Sequence, residues 1–371
     1  MKISGAKAVA PAVGLAVLMS ILMPARGRLA ASGPRRPVVG VKIYEASPPF
    51  DGLFQKWREL GINTLFVSEA LLSDGDFRTR ARADGLTLFL IYPVFQSPEA
   101  IKADPDLAAI TASGAPARDD WVEFVCPTKG DDYLESRIAH LKSLVAEGHP
   151  DVVSLDFIRY FVFWEKVAPD RTPGSLPQTC FCPYCLRFFE NELNVKIPAG
   201  LTTTAEKAKW ILENHAVQWA EWKCRRIART VERLTAAARQ ADPKVKVNLH
   251  LVPWRQDDFG GAVRSVAGQD LTLLAPLADY LSPMVYHHMV RQTPAWVHEV
   301  VVDMAARGGR AAVLPSIQVA EAYVPEKLDA VEFGAALEQA LRPPSIGVVF
   351  WSWDALAKSP EKQAVLKRLI H

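Results

Sequence analysis

The chain contains 371 residues, of which 49% are hydrophobic and 23% are charged, and its formal net charge is +2 at pH 7. This length is sufficient for one large domain or two ordinary ones with a buried core, and the composition is typical of a folded globular protein. The near-neutral charge excludes the strongly basic surface that nucleic-acid binding requires, so we expect no nucleic-acid partner.

The first residues predict export. Lys2 and Lys7 precede the apolar run "AVAPAVGLAVLMSILM", and the sequence "PARG" that follows provides small residues before a cleavage position. This pattern predicts a signal peptide over residues 1–27, followed by a linker rich in proline and arginine over residues 28–37. An uncleaved N-terminal anchor is the alternative. Because no later apolar segment reaches the roughly 20 residues of a membrane-spanning helix, we expect a secreted or periplasmic protein without stable membrane insertion after cleavage.

Eight apolar runs after the linker predict the strands of a single domain over residues 38–371. They cover residues 38–45, 63–69, 86–95, 151–160, 245–254, 279–288, 311–320 and 346–354. Most are continuously apolar, which is typical of parallel strands covered on both faces, and amphipathic stretches with helical spacing separate them. Eight such units predict an α/β fold, the (β/α)8 TIM barrel. An open doubly wound sheet is the alternative, although no GxGxxG turn follows the first predicted strand.

Two connections between predicted strands are longer than usual. They cover residues 96–130, after the third strand, and residues 161–205, after the fourth, where we expect a cysteine-containing insertion. Both follow the carboxyl ends of strands, the face at which barrel enzymes build their active sites. We therefore expect these extended loops to shape a cleft at this face.

Polar and aromatic residues stand at or just beyond the ends of the predicted strands, where a barrel would bring them together at one mouth. The candidate substrate-binding residues are Glu45, Glu69, Arg159, Tyr160, His250, Trp254, Tyr286, His287, Trp351, Trp353 and Asp354. Carboxylates combined with aromatic rings favour carbohydrate chemistry, because two carboxyl groups act on a glycosidic bond while aromatic faces stack on sugar rings. Core packing is the alternative role for Trp351 and Trp353.

Asp156 is the first candidate for a catalytic carboxylate. Strand alternation places it on the same face as Ser154 and Ile158, whereas Arg159 lies on the other face. A structural ion pair is the alternative role, since a buried carboxylate needs a partner in either case. For the second carboxyl group we expect Glu321, which follows the seventh predicted strand. Three other carboxylates near strand ends compete with it: Asp354, Glu45 and Glu69.

Three histidines at strand ends, His250, His287 and His288, are possible metal ligands. They lack the HxH and HExxH spacings of metal-binding motifs. Contacts with sugar hydroxyl groups or plain packing are therefore favoured, and we expect neither a catalytic metal nor another cofactor.

The motif "CFCPYC" places Cys180, Cys182 and Cys185 at C-x-C-x2-C spacing, and the chain has two other cysteines, Cys126 and Cys224. Export favours disulfides, whereas the spacing also permits a structural zinc site with a fourth ligand from Cys126, Cys224 or a histidine. A redox function of "CPYC" is disfavoured, because the motif stands in a long loop and not at a helix start in a thioredoxin-like unit. In the remaining cases we expect the cluster to brace the loop over the cleft.

Five segments together resemble bacterial glycoside-hydrolase-like TIM barrels, which carry a D-x-I-R-[YF]-P strand motif and are distantly similar to the α-amylase and α-galactosidase superfamily. These segments are "VVSLDFIRY", "CPT" at Cys126, "CFCPYC", "LSPMVYH" and "GVVFWSWD". The resemblance covers roughly residues 38–368. It implies that Asp156 is the nucleophile, while Phe161 stands where the motif has proline.

The residues and the resemblance together predict an exported glycoside hydrolase that cleaves a poly- or oligosaccharide, with Asp156 as nucleophile or base and Glu321 as acid. A non-catalytic carbohydrate-binding barrel is the first alternative. A zinc-dependent hydrolase or deacetylase that uses the histidines is the second.

Overall fold

A curled sheet of parallel strands with surrounding helices makes up the computed structural model, which describes residues 36–370. The predicted signal peptide and residues 28–35 of the predicted linker lie outside the described residues, as does His371. The chain from Pro37 onward forms one compact unit. Within residues 36–370, no helix combines the length and the apolar character needed to cross a membrane.

Nine strands form the main sheet, and two short ones form a separate hairpin. In chain order the strands are β1 (Val38–Ile43), β2 (Thr64–Val67), β3 (Thr87–Pro93), β4 (Arg118–Asp119), β5 (Val122–Glu123), β6 (Val152–Asp156), β7 (Lys246–Leu251), β8 (Tyr280–Pro283), β9 (Ala312–Val313), β10 (Ser316–Gln318) and β11 (Gly347–Trp351). The order in the main sheet is β10-β11-β1-β2-β3-β6-β7-β8-β9, and every neighbouring pair is parallel. The hairpin β4–β5 is antiparallel and lies in the long connection after β3.

Each predicted apolar run contains a strand of this sheet, and the run over residues 311–320 contains both β9 and β10. Only Leu314 and Pro315 separate these two strands, and proline has no N–H group to donate to a neighbouring strand. A parallel bridge between Met284 and Ser316 connects the end of β8 to the start of β10. The two ends of the sheet therefore approach each other.

Helices lie between most successive strands of the main sheet, and the last two follow β11. They are α1 (Asp51–Glu59), α2 (Glu69–Ser73), α3 (Gly75–Ala83), α4 (Pro98–Ala103), α5 (Asp131–Gly148), α6 (Pro183–Leu193), α7 (Thr204–Asn214), α8 (Ala216–Ala241), α9 (Ala262–Ser265), α10 (Leu271–Leu274), α11 (Pro294–Arg307), α12 (Ala330–Leu341), α13 (Trp353–Ala357) and α14 (Pro360–Ile370). In the longest, α8, Trp219, Trp222 and Ile227 recur at helical spacing and are buried, whereas Glu221 and Arg229 are exposed. This amphipathic pattern explains why the helix packs on the sheet.

Alternation along β6 separates two apolar clusters. Val152 packs with Phe66 and Phe89 in a small cluster on the inner face of the sheet, whereas Val153 and Leu155 belong to the main core with the helices. Because successive strand residues face opposite sides, the inner face continues with the residues at every second position.

The inner face becomes polar toward the carboxyl ends of the strands. Asn248 donates a hydrogen bond from Nδ2 to Oγ of Ser154 at 2.6 Å, and Ser282 donates from Oγ to Oδ1 of Asn248 at 2.9 Å. These buried groups satisfy one another, which makes their burial energetically acceptable. Asp156 lies two positions beyond Ser154 and thus continues the same face.

Candidate active site

Asp156 is the last residue of β6 and is only 9% exposed. Its Oδ1 accepts a hydrogen bond from the backbone N–H of Phe157 at 2.7 Å, and its Oδ2 lies 3.3 Å from Nδ1 of His250. Phe157 has a φ of 52°, in the left-handed region that a bulky residue rarely adopts, and the strand ends there. The local backbone and His250 therefore hold the carboxylate in one place.

Two buried basic side chains lie near Asp156. Lys42 of β1 donates a hydrogen bond from Nζ to Oη of Tyr286 at 3.2 Å. Burial lowers the pKa of Lys42 to about 8, and attraction to Asp156 opposes this shift. Burial and the charge of Lys42 lower the pKa of His250 to about 3, again against the attraction of Asp156. At pH 7 His250 is neutral, so Lys42 supplies the positive charge of this pair.

A cavity of about 290 Å³ opens at the carboxyl ends of the strands, and Asp156 forms part of its wall. The charged residues of the lining are Lys42, Asp156 and Glu165. Its aromatic residues are Tyr44, Trp121, Phe157, Tyr286, Tyr323 and Trp351. Ligand sites commonly combine such an apolar lining with a few convergent polar groups.

Aromatic contacts shape two sides of this cavity. Tyr286 and Trp351 stack with their ring centroids 4.9 Å apart and an angle of 17° between the rings. Trp121, in the turn of the β4–β5 hairpin, donates a hydrogen bond from Nε1 to Oη of Tyr323 at 2.7 Å. Because Tyr323 lies in the loop after β10, this bond joins two distant loops over the cavity.

Glu165 provides a second carboxyl group in the same cavity and is not one of the residues predicted from the sequence. It lies in a short 3-10 turn, Trp164–Lys166, in the long loop after β6, and is 9% exposed. Among the described residues, its buried Oε2 has no hydrogen-bond partner. Burial raises the pKa of Glu165 to about 7, although the charge of Arg159 opposes the shift. A large fraction of Glu165 is therefore protonated at neutral pH.

Arg159 lies behind the two carboxyl groups and does not line the cavity. Its side chain is buried, its Nη1 donates to the backbone oxygen of Val162 at 2.5 Å, and its guanidinium group lies 4.7 Å from the ring centroid of Phe124. Burial lowers the pKa of Arg159, and attraction first to Glu165 and then to Asp156 opposes this effect. Its charge therefore acts on Glu165 more strongly than on Asp156.

Glu321, the predicted acid, is not among the residues that line this cavity. It is exposed, and its Oε1 accepts a hydrogen bond from the backbone N–H of Leu328 at 2.8 Å. Hydrogen bonds from backbone N–H groups, first its own and then that of Leu328, lower its pKa. These features suit a loop carboxylate that stays charged, whereas a proton donor needs a raised pKa.

The structure brings some of the predicted substrate-binding residues together. Tyr286 and Trp351 line the cavity, and His250 contacts Asp156 from inside the sheet. Glu69 lines an adjoining cavity instead.

The two other predicted tryptophans pack in the protein interior. The ring of Trp254 lies 5.3 Å from that of Phe259, and the ring of Trp353 lies 5.6 Å from that of Trp57. Both tryptophans are less than 8% exposed, with Trp254 at 3% and Trp353 at 7%. For Trp353 this packing corresponds to the alternative role considered for that residue.

Four further predicted or considered residues also lie outside the cavity lining. His287, through Nε2, and His288, through Nδ1, both contact Oε1 of Glu332, at 3.0 and 2.9 Å. Glu332 lies in the first turn of α12, so these histidines face a helix. Glu45 and Asp354 are exposed.

Four thiols from the long connections after β3 and β6 converge: those of Cys126, Cys180, Cys182 and Cys185, whose sulfur atoms all lie within 4.8 Å of one another. Sγ of Cys126 is 3.4 Å from that of Cys185 and 3.6 Å from that of Cys182, whereas a disulfide bond is about 2.05 Å long. The predicted disulfides are thus not seen in the described residues, where all five cysteines are free. Cys224 lies apart from this group.

The surroundings of these thiols fit a bound metal cation. Backbone N–H groups donate to sulfur, from Ile110 to Cys180 at 3.1 Å and from Thr128 to Cys126 at 3.4 Å. The buried Lys223 adds positive charge that stabilises thiolates; burial lowers its pKa to about 8, and attraction first to Cys224 and then to Cys185 and Cys180 opposes this shift. A tetrahedral zinc with four bonds of about 2.3 Å places sulfur atoms about 3.8 Å apart. The observed spacing approaches this value.

Tyr160, another predicted substrate-binding residue, belongs to these surroundings. It is fully buried, and its Oη lies 3.4 Å from Oγ1 of Thr128. Burial, reinforced by the nearby cysteines, raises its pKa well above the usual value. Tyr160 therefore packs beside the cysteine group and does not line the cavity.

No family model and no curated protein sequence matches the chain. Solved structures do resemble it, among them the PgaB (BpsB) glycoside hydrolase domain from Bordetella bronchiseptica. That match has a TM-score of 0.66 and 14% identity, and covers 90% of this chain and 98% of that domain. A β-galactosidase from Marinomonas ef1 matches with a TM-score of 0.65 and 12% identity, over 90% of this chain and 59% of the enzyme.

An α-L-fucosidase isoenzyme from Paenibacillus thiaminolyticus matches with a TM-score of 0.54 and 12% identity, over 91% of this chain and 49% of the enzyme. The chain therefore spans 59% of the length of the β-galactosidase and 49% of that of the fucosidase. At such low identities the comparison establishes the fold alone, which is shared with TIM-barrel glycoside hydrolases.

Proposed function

We propose that this protein is an exported glycoside hydrolase that cleaves a poly- or oligosaccharide with two carboxyl groups, those of Asp156 and Glu165. The observation that carries the proposal is that both groups line one aromatic cavity at the carboxyl ends of parallel strands. The fold shared with glycoside hydrolases supports it. Export follows from the predicted signal peptide.

We also infer that the sheet closes as an eight-stranded barrel, with β9 and β10 as one strand interrupted at Pro315. β9 pairs with β8, β10 pairs with β11, and the Met284–Ser316 bridge lies between β8 and β10. Closure explains how Lys42 of the first strand and Asp156 of the fourth come to line the same cavity.

Glu165 is the general acid in this proposal. In the reaction its proton moves to the glycosidic oxygen while the bond between that oxygen and the anomeric carbon breaks. Because its pKa is about 7, Glu165 holds a proton at neutral pH and also releases it readily. The positive charge of Arg159 then stabilises the carboxylate that remains.

Asp156 acts on the anomeric carbon, either by direct attack of a carboxylate oxygen or by taking a proton from an attacking water. The Phe157 N–H and the charge of Lys42 stabilise the negative charge on the carboxylate. That charge then stabilises the oxocarbenium-like carbon of the transition state.

Aromatic faces supply binding surface for the sugar rings. Trp351, stacked on Tyr286, forms one side of the cavity, and the bonded pair Trp121 and Tyr323 forms another. Aromatic rings combine a large apolar face with a polar edge, which suits the alternating C–H and hydroxyl surfaces of a sugar.

The two alternative functions have less support. A carbohydrate-binding barrel that has lost its second acid does not agree with the presence of Glu165 in the cavity. A hydrolase that uses His250, His287 and His288 as metal ligands requires them to converge. Within residues 36–370, the one group of three or more metal-ligating side chains is formed by the cysteines.

For that cysteine group we propose a structural Zn²⁺ bound by Cys126, Cys180, Cys182 and Cys185. Four buried thiols at this spacing, with backbone N–H donors to two of them, support a closed tetrahedral site. Such a site joins the connection after β3 to the connection after β6, the loop that carries Glu165. The zinc would hold that loop over the cavity.

The deciding experiment measures hydrolysis of a panel of oligosaccharides and aryl glycosides, including galactosides and fucosides, by the purified protein. We expect Asp156→Asn to lower kcat/KM by about a thousandfold or more and Glu165→Gln by about a hundredfold or more on substrates with poor leaving groups. Glu321→Gln is the matched control and should retain activity. Full activity of Asp156→Asn, or binding without turnover by the wild type, would refute the proposal.

A further inference from the structure

A second cavity of about 530 Å³ adjoins the one that contains Asp156. The two share three lining residues, Tyr44, Ile91 and Pro93, from the ends of β1 and β3. The second cavity extends from there toward Ser68 after β2 and toward the start of α4. Its volume falls within the range of about 300 to 1,000 Å³ that is usual for ligand sites. Because the two cavities share lining residues, they form one extended groove.

The polar side chains of the second cavity are suited to hydroxyl groups. Among the described residues, the side chains of Gln96 and Glu99 have no hydrogen bond or salt bridge, and both line this cavity. Arg137 also lines this cavity and provides hydrogen-bond donors. Its Nη2 donates a hydrogen bond to the backbone oxygen of Pro93 at 2.8 Å, which holds the side chain in place. The lining therefore offers both acceptors and donors to a polyhydroxylated ligand.

Tyr44 lies at the junction of the two cavities. The residue is large and aromatic and yet 40% exposed, and its side chain lies beside Trp351, which lines the first cavity. Trp121 and Tyr323, whose hydrogen bond joins two loops, line the first cavity and not the second. The first cavity therefore continues into the second cavity on the side where Tyr44 lies.

We propose that the second cavity is a sugar-binding subsite and that the substrate is an oligosaccharide chain lying across both cavities, with one sugar ring packed on Tyr44. This inference rests on the proposed function. Binding energy from a subsite remote from the cleaved bond improves positioning of the reacting atoms, and truncated substrates lose that contribution. The preferred substrate is therefore a chain of several sugars and not a simple glycoside with a small leaving group.

The test measures binding by calorimetry to the Asp156→Asn variant, which removes turnover. The probes are galacto-oligosaccharides and chito-oligosaccharides of one to six sugars. We expect affinity in at least one series to rise about tenfold or more with chain length. Glu99→Gln and Gln96→Ala, each added to Asp156→Asn, should weaken binding of the longer chains about tenfold and leave the monosaccharide unchanged.

Glu338→Gln on the same background is the matched control, because Glu338 is an exposed carboxylate of α12 that lines neither cavity. Affinity that does not depend on chain length, absence of binding by every probe, or equal weakening of short and long chains overturns the subsite. If the wild type hydrolyses nothing while length-dependent binding remains sensitive to Glu99→Gln, the subsite stands and the hydrolase function fails.

Discussion

Nδ1 of His250 lies 3.3 Å from Oδ2 of Asp156 and also 3.3 Å from Oγ of Ser154, so the imidazole joins the carboxylate to the polar layer inside the sheet. The ring is 1% exposed, and its Nε2 has no partner among the described residues. Since its pKa is lowered to about 3, the ring is neutral and adds no charge to the site. His250 is therefore a positioning residue for Asp156.

Replacing His250 tests this role. We expect His250→Asn to lower kcat about a hundredfold with little change in KM, because the carboxylate loses a contact that fixes its position while the cavity lining stays intact. Steady-state kinetics on the best substrate of the panel measure both constants. His298→Asn on α11, which changes a histidine outside the cavity lining, should behave as the wild type. An unchanged kcat in His250→Asn would contradict the assignment.

The rate should depend on the proton of Glu165. Because a general acid must be protonated to act and the pKa of Glu165 is about 7, kcat/KM should fall as the pH rises above about 7. The measurement is a pH–rate profile from pH 4 to 9. In Glu165→Gln, assayed with an aryl glycoside that needs little protonation, this alkaline decrease should be absent. The same decrease in that variant would assign it to another group.

The raised pKa of Glu165 should also appear in the stability of the fold. The carboxyl group loses its proton near pH 4.5 in the unfolded chain but near pH 7 in the folded protein. The unfolded state therefore binds fewer protons in this window, and the free energy of unfolding falls as the pH rises through it, by about 3 kcal/mol at 1.36 kcal/mol per pKa unit.

Glu165→Gln lacks this titration. Relative to the wild type, its free energy of unfolding should therefore increase by about 3 kcal/mol between pH 4.5 and pH 8, as measured by urea denaturation. Glu338→Gln, at an exposed position, should follow the wild type over the same range. A constant difference between Glu165→Gln and the wild type would show that Glu165 has an ordinary pKa.

Metal analysis tests the cysteine site. We expect one zinc per chain in the wild type and in Cys224→Ser, and none in Cys182→Ser. Removal of the metal by a chelator should lower the Tm by about 5 °C or more, because the bound ion stabilises only the folded state. Zinc retained in Cys182→Ser would place the metal elsewhere. A disulfide between two of the four cysteines, detected by thiol titration, would contradict the zinc site and support the disulfides that are expected in an exported protein.

Local patterns were sufficient for much of the fold. The strand β6 lies within the predicted run over residues 151–160, and Asp156 ends it because Phe157 adopts a left-handed conformation. The spacing of Cys180, Cys182 and Cys185 marked a possible metal site, since three ligands lie within one short segment. Each of these features depends on neighbours in sequence.

The second carboxyl group could not be found in this way. Glu165 stands in the aromatic stretch "YFVFWEK", which was its only sequence signal, in a loop without regular periodicity. Its raised pKa arises from burial, and burial is produced by segments distant in the chain. Glu321 follows a predicted strand, yet its loop places the carboxylate at the surface, where it accepts the N–H of Leu328.

By itself, the sequence determined the parallel strands, the helices between them and the presence of Asp156 at a strand end, because hydrophobic periodicity and turn conformation are local properties. Only the tertiary structure decided that Glu165 shares a cavity with Asp156 and that Cys126, and not Cys224, completes the group of four thiols. It also decided that Tyr44 connects two cavities. Convergence, burial and the pKa shifts they cause depend on how distant loops pack, which no local pattern encodes.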